Sequence, residues 1–204
     1  MSTQVRRKVA LHSKDVKVMI KLVMDTDPEV AALISVSRLF RFRVPSEALP
    51  LQWNGERSSV QLYEGKAVVT LAKRKNTRAP SELVRECCCP TSGRTLCAVH
   101  WLHRLRELAP ERNQVFETPL HRFRQTLVNL AREAGVVDWC HVSTHSFRRG
   151  MAQDIIDTGC LLSVLFRAGG WSSSAYTEYL RQDQGCEAAV GQAVIMLSDS
   201  EDDV

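Results

Sequence analysis

Two short segments near the middle of this chain of 204 residues alternate apolar and polar side chains, and they limit the folds that it can adopt. Residues 59–64 (SVQLYE) and 67–72 (AVVTLA) both have this two-residue period, and Gly65 lies between them. Such a pattern predicts a β-hairpin. Residues 82–86 (ELVRE) predict a third strand after a polar, basic loop. The sequence therefore predicts a small three-stranded antiparallel sheet.

The rest of the chain has the three- and four-residue spacing of helices. Helices are predicted at 14–24 and 28–43, and again at several positions between residues 97 and 182. Asp27 followed by Pro28 is a typical helix start, with the aspartate as cap and the proline in the first turn. We therefore predict an α+β fold, mainly helical, with a small three-stranded antiparallel sheet.

Composition and charge favour a polyanionic partner. Hydrophobic residues make up 44% of the chain and charged residues 25%, and no apolar run approaches the ~18–20 residues of a membrane span. The formal net charge is +4, but the last seven residues, SDSEDDV, hold four acids, and without them 27 bases face 19 acids. A basic body with an acidic tail fits a nucleic-acid partner. We predict an intracellular, nuclear protein without a membrane partner.

Three motifs in the last third of the chain suggest a site for phosphoryl transfer. They are His145-Ser-Phe-Arg148, Ala168-Gly-Gly-Trp171 and Tyr179-Leu-Arg181, in that order. This order resembles the catalytic end of the tyrosine recombinases, the phage-integrase superfamily, and most of all their crypton-like variant in eukaryotic mobile elements. The resemblance spans about residues 28–182. It implies that DNA strands are cleaved and rejoined through a covalent phosphotyrosyl intermediate, on double-stranded DNA, and it allows a homo-oligomer on that DNA.

The resemblance also assigns a role to each site residue. The catalytic set is Arg43, Lys75, His145, Arg148, Trp171 and Tyr179. Tyr179 would be the nucleophile and Lys75 the acid that protonates the leaving 5′-oxygen, while the others would stabilise the phosphate. Two rivals stay open, since Tyr176 lies one turn before Tyr179 and Lys73 lies beside Lys75. No cofactor is expected for this chemistry, because phosphoryl transfer depends mostly on positioning and electrostatics.

The first arginine departs from the family pattern. Most integrases read R-x-S-E, with the arginine three residues before the glutamate, but here Val44 stands three before Glu47 and Arg43 four before it. Crypton-like sequences show an R-[VL]-P-S-E form, so we expect Arg43 to fill the role with a local bulge at Pro45. The alternative is a domesticated or decayed DNA-binding module without turnover.

A second cluster has the spacing of zinc ligands. Cys87, Cys89, Cys97 and His100 offer four ligands within fourteen residues. Because an intracellular chain keeps its thiols reduced, metal binding is a better reading than disulfides. We predict a structural zinc site there, with Cys88 as a rival ligand. A zinc-clipped protein-interaction domain is a third functional reading.

The expected organisation has three parts. Residues 1–27 form an N-terminal segment, 28–185 the recombinase-like catalytic domain, and 186–204 a C-terminal segment with an acidic, disordered tail. The family's N-terminal helical domain, which closes a clamp around DNA, would be absent or truncated. The chain is then either a fragment or a binder that uses one half of the clamp, with weak and salt-sensitive DNA binding.

Overall fold

The computed structural model describes residues 8–74, 80–87, 89 and 94–159. It confirms the α+β prediction, with helices packed around one small antiparallel sheet. The elements in chain order are α1 (Ser13–Val23), α2 (Pro28–Leu39), a π-helix (Val44–Ala48), β1 (Ser58–Tyr63), β2 (Lys66–Leu71), β3 (Ser81–Glu86), α3 (Ala98–Leu108), α4 (Leu120–Glu133), a 3₁₀ turn (Trp139–His141) and α5 (Ser146–Asp157).

Helix α2 is the centre of the core. Its residues Val30–Arg38 are all buried, and α1, α3 and α5 pack around it. A helix buried on all sides belongs to the interior of a domain. The predicted cap is confirmed, because the Asp27 carboxylate accepts a hydrogen bond of 3.0 Å from the backbone N–H of Val30. Helix α1 lies before the predicted domain boundary at residue 28 and still shares this core; the boundary itself stays a prediction.

Helix α2 ends at Leu39, four residues before the predicted end at residue 43. The cause is Arg41, whose φ of +55° is incompatible with a continuing right-handed helix. The rings of Phe40 and Phe42, on either side of it, stack with centroids 5.2 Å apart inside the core. The chain then enters the π-helix, so that the residues after α2 follow a tight path instead of extending the helix.

The sheet has the order β1-β2-β3, with both pairs antiparallel. In β2, Ala67, Val69 and Leu71 are buried and alternate with more exposed residues, which is the pattern that predicted the strand. Gly65 adopts a φ of +71° in the turn between β1 and β2, a conformation that glycine permits without strain. No residue of the edge strand β3 is fully buried.

The segment before α1 packs directly on α5. The Leu11 N–H donates to the Ser146 carbonyl at 3.0 Å, and a Cβ atom at Gly150 would overlap the Leu11 backbone. Nearby, the Asp154 carboxylate accepts hydrogen bonds from Ser13 and from the buried guanidinium of Arg38. These contacts fix α5 against α2 and the N-terminal segment.

We predict that Gly150→Ala destabilises the protein by about 1–3 kcal/mol, because the added methyl group must displace backbone. Helix propensity alone predicts the opposite sign, since alanine is favoured over glycine in a helix by ~1 kcal/mol. Urea unfolding of the two proteins measures the difference. A variant as stable as the parent would contradict the close packing of α5 on Leu11.

Candidate functional site

The contact between α5 and the end of α2 brings two predicted site motifs together. Arg148 is buried, and its Nη1 donates a hydrogen bond of 2.9 Å to the carbonyl oxygen of Arg41. Arg41 lies two residues before Arg43, the predicted first arginine. The motif on α5 and the arginine after α2 therefore belong to one region of the fold, although they are more than 100 residues apart in sequence.

His145 and Arg148 differ in their surroundings. His145 is the N-cap residue of α5 and is exposed, whereas Arg148 lies in the first turn and is buried. Thr144, which directly precedes this helix, is not its cap: His145 occupies the cap position, and its side chain makes no capping hydrogen bond. Instead, Ser146 Oγ accepts a hydrogen bond of 3.1 Å from the Ser143 N–H, so the turn before the helix is closed by serines.

Arg43 is held by the glutamate of its own motif. Its backbone N–H donates to Glu47 Oε2 at 2.9 Å, and its Nη1 donates to Oε1 at 3.1 Å. Glu47 is buried and also pairs with Arg74, at 3.4 Å. A buried carboxylate that contacts two cations orients both of their side chains.

The π-helix gives a structural account of the shifted arginine. Ala48 N–H bonds to the Arg43 carbonyl and Leu49 N–H to the Val44 carbonyl, both across five residues. A π-turn holds one more residue than an α-turn. The extra residue between Arg43 and Glu47 is therefore taken up within the π-helix, beside Pro45. Whether Arg43 acts on a phosphate stays a prediction.

Arg41 is a candidate site residue that the sequence analysis missed. It is 4% exposed, and among the residues that the structure describes no hydrogen-bond partner is present for its Nε and Nη1. Burial, together with the charges of Arg85, Arg148 and Arg74, lowers the pKa of Arg41 to about 9. The sequence signal for Arg41 is its position between two apolar residues, Phe40 and Phe42.

Arg41, Arg74, Arg85 and Arg148 are called here the arginine cluster. Arg85 reaches it from β3, where its Nε donates to the Leu39 carbonyl at 3.0 Å and its guanidinium lies over the Phe40 ring. Burial lowers the pKa of Arg85, and the charge of Arg74 lowers it further. Several guanidinium groups with little solvent favour an anion that can accept hydrogen bonds from more than one of them.

The remaining catalytic predictions lie outside the described residues. They are Lys75, Trp171 and Tyr179, together with the rival Tyr176. Lys73, the rival of Lys75, is described and exposed just after β2. Both choices therefore stay predictions.

The four predicted metal ligands lie together between β3 and α3. The ligand atoms of Cys87, Cys89, Cys97 and His100 are all within 4.8 Å of one another. Burial and hydrogen bonds with Cys97 and Cys87 raise the pKa of Cys89 to about 12. The backbone N–H of Cys89 lowers the pKa of Cys87, and burial lowers that of His100. The donor set, three thiols and one imidazole, suits zinc.

Comparison with solved structures identifies the fold. The chain superposes on the XerA recombinase with a TM-score of 0.60 and 16% identity, covering 91% of this chain and 65% of that one. It also superposes on the XerH site-specific recombinase bound to difH substrate in a pre-cleavage complex, with a TM-score of 0.62 and 14% identity. There the alignment covers 93% of this chain and 55% of the other.

A post-cleavage complex of XerH with a palindromic difH substrate gives a TM-score of 0.62 at 16% identity, over 89% of this chain and 52% of that one. The chain thus spans about half to two thirds of the length of these recombinases. No protein-family model matches the sequence, and no curated protein does. The fold is that of a recombinase catalytic domain. Within the described ranges, no helix is long and apolar enough to cross a membrane.

Removing the Arg41 charge should stabilise the protein in the absence of an anion. Arg41→Met deletes a buried cation with two unpaired donors, so we expect a gain of roughly 1–3 kcal/mol in the free energy of unfolding at pH 7. The pKa of Arg41 is lower in the folded than in the unfolded state, so its cost is complete below pH 9 and fades as the pH rises above that value.

The gain should therefore stay constant up to about pH 9 and shrink as the pH rises above that value, as measured by urea unfolding of both proteins in buffers without phosphate or sulfate. Arg124→Met is a matched control, because Arg124 is exposed on α4 and carries the same charge. A destabilised Arg41→Met protein would show that the side chain is needed for packing.

Proposed function

We propose that this chain is a tyrosine-type recombinase catalytic domain that cleaves and rejoins double-stranded DNA, as in the crypton-like variant. The observation that carries the proposal is the hydrogen bond from Arg148 to the Arg41 carbonyl, which joins the two predicted phosphate-binding motifs beside a buried arginine cluster. The recombinase fold supports it independently. The XerH structures contain DNA substrates, and by analogy DNA would be the partner here, with a homo-oligomer assembled on it and a nuclear location.

The proposed reaction has a simple balance of bonds. The Tyr179 oxygen loses its hydroxyl proton to solvent, attacks the phosphorus and forms the phosphotyrosyl bond, while the bond from phosphorus to the 5′-oxygen breaks. Lys75 gives its proton to that leaving oxygen. Rejoining reverses each step, with the 5′-hydroxyl as the attacking group. Both directions keep the number of phosphodiester-type bonds constant, so no nucleotide is consumed.

The phosphate-binding groups would act through geometry and charge. A planar guanidinium can donate two parallel hydrogen bonds to phosphate oxygens, which Lys cannot do. Arg43 and Arg148 would hold the non-bridging oxygens, with Arg41 adding donors from below, because its Nε and Nη1 have no other acceptor in the described structure. His145, exposed at the N-terminal end of α5, would add a donor, and Trp171 would donate its indole N–H.

One observation favours the alternative, a DNA-binding module without turnover. Arg43 is already paired with Glu47 through both its backbone and its guanidinium. A guanidinium that already donates hydrogen bonds to a carboxylate has fewer N–H groups left for a phosphate. The loss of one such donor typically lowers a rate by about 10²–10³. The two functions differ in whether a covalent intermediate forms.

A nicked DNA substrate that traps the intermediate tests for turnover. Because the recognition site is unknown, a randomised or genomic pool is used at low salt, and adducts that survive denaturant are counted. We expect wild type and Tyr176→Phe to form the adduct, and Tyr179→Phe to form none while it still binds DNA. The phenylalanine removes one oxygen and no charge.

The result can contradict the proposal in two ways. An adduct in Tyr179→Phe that disappears in Tyr176→Phe would place the nucleophile one helical turn earlier. DNA binding without any adduct in the wild type would favour the module without turnover.

DNA affinity tests the arginine cluster separately from the chemistry. Arg41→Met should weaken DNA binding by about 10–100-fold, the value of one charge-assisted hydrogen bond, and should reduce the slope of log K against log salt by about 1. Arg124→Met removes the same charge from an exposed position and should change affinity less than about threefold. Equal losses in both variants would mean that Arg41 contributes only net charge.

A further inference from the structure

We propose that Cys87, Cys89, Cys97 and His100 bind one zinc ion that joins the end of β3 to the beginning of α3. Cys87 directly follows β3, Cys97 is the N-cap residue of α3, and His100 lies in the first turn of that helix. The metal would therefore connect the end of the sheet to the beginning of a core helix.

The distances suit a tetrahedral site. With Zn–S bonds of about 2.3 Å and Zn–N bonds of about 2.0–2.1 Å, tetrahedral ligand atoms lie roughly 3.5–3.8 Å apart. His100 Nδ1 is 3.7 Å from Cys87 Sγ and 3.9 Å from Cys89 Sγ. The whole set falls within 4.8 Å. A contraction of at most about 1 Å would bring the four atoms onto the ion.

The ligands are held in place by contacts outside the cluster. Cys87 N–H donates to the Gly65 carbonyl at 2.7 Å, which continues the pairing beyond β3 to the β1–β2 turn. Before α3, the Leu96 carbonyl accepts a hydrogen bond of 2.8 Å from Ser35 of α2, and Trp101 Nε1 donates to the Thr95 carbonyl at 2.8 Å. Such outer contacts fix the orientation of metal ligands.

The edge strand needs this connection because its own burial is weak. No residue of β3 is fully buried, and β3 pairs only with β2. A three-stranded sheet needs packing on one face to be stable in water. Fully buried side chains stabilise β2 in the sheet. An ion bound at the end of β3 would stabilise β3 in their place.

The position also separates the ion from the proposed chemistry. Cys87, Cys89, Cys97 and His100 follow β3 along the chain, whereas Lys75 precedes β3 in the sequence. Four protein ligands fill a tetrahedral zinc and leave no open position for water or substrate. The ion is therefore structural, and it would be present whether or not the chain turns over DNA.

Metal content of the full chain tests this inference. Protein purified without chelator should contain about one equivalent of zinc by mass spectrometry, and Cys97→Ser and His100→Ala should lose most of it. His100→Cys should keep the ion, because a thiolate replaces the imidazole. Cys140→Ser is the matched control, since Cys140 is exposed and lies outside the cluster.

Stability and cobalt absorption provide readouts that do not depend on activity. A strong chelator should lower the Tm of the wild type by roughly 5–10 °C, and Cys140→Ser should respond in the same way. Cobalt added to the metal-free wild type should give the d–d absorption of tetrahedral thiolate coordination, and none in Cys97→Ser. Folded wild type with no zinc and no cobalt spectrum would overturn the inference.

Discussion

The hydrogen bond from Arg148 to the carbonyl of Arg41 organises the candidate site. The carbonyl is available because Arg41 adopts a left-handed conformation, which ends α2 and turns the backbone towards α5. The same turn leads into the π-helix that sets Arg43 against Glu47. The left-handed conformation of Arg41 thus determines where Arg41, Arg43 and Arg148 lie relative to one another. A residue with positive φ and a large side chain is strained, and such strain persists only where surrounding contacts maintain it.

Two buried arginines near the end of α2, Arg38 and Arg41, have different electrostatic surroundings. Arg38 donates to the Leu11 carbonyl and to Ser13, and it pairs with Asp154, so its charge is compensated. Arg41 is surrounded by other arginines, and two of its nitrogens have no acceptor in the described structure. Structural need explains the first arrangement, because paired buried ions hold elements together. The second costs stability, and the DNA phosphate of the proposed function would offset that cost by accepting hydrogen bonds from Arg41.

The elements that could be predicted from the sequence are those with a local signal. A two-residue period predicts β2 and its neighbouring strands, and Asp27 with Pro28 predicts the start of α2. Each of these signals lies within a few residues of the element that it predicts. Arg41 escaped prediction since its burial depends on Arg148 and Arg85, which are distant in sequence. The four proposed metal ligands could be grouped from the sequence because they lie within fourteen residues, and the structure brings their ligand atoms within 4.8 Å of one another.

Strand β3 connects the two proposed sites and explains why they can serve different purposes. Arg85 in its middle contributes charge to the arginine cluster while its guanidinium rests on Phe40 of the core. Arg85 donates a hydrogen bond of 3.0 Å to the Leu39 carbonyl. A movement of the strand would stretch this bond and displace the side chain. Fixing the C-terminal end of β3 therefore also limits the movement of Arg85. A structural ion at one end of β3 would thus help to hold Arg85, a member of the arginine cluster, in the middle of that strand.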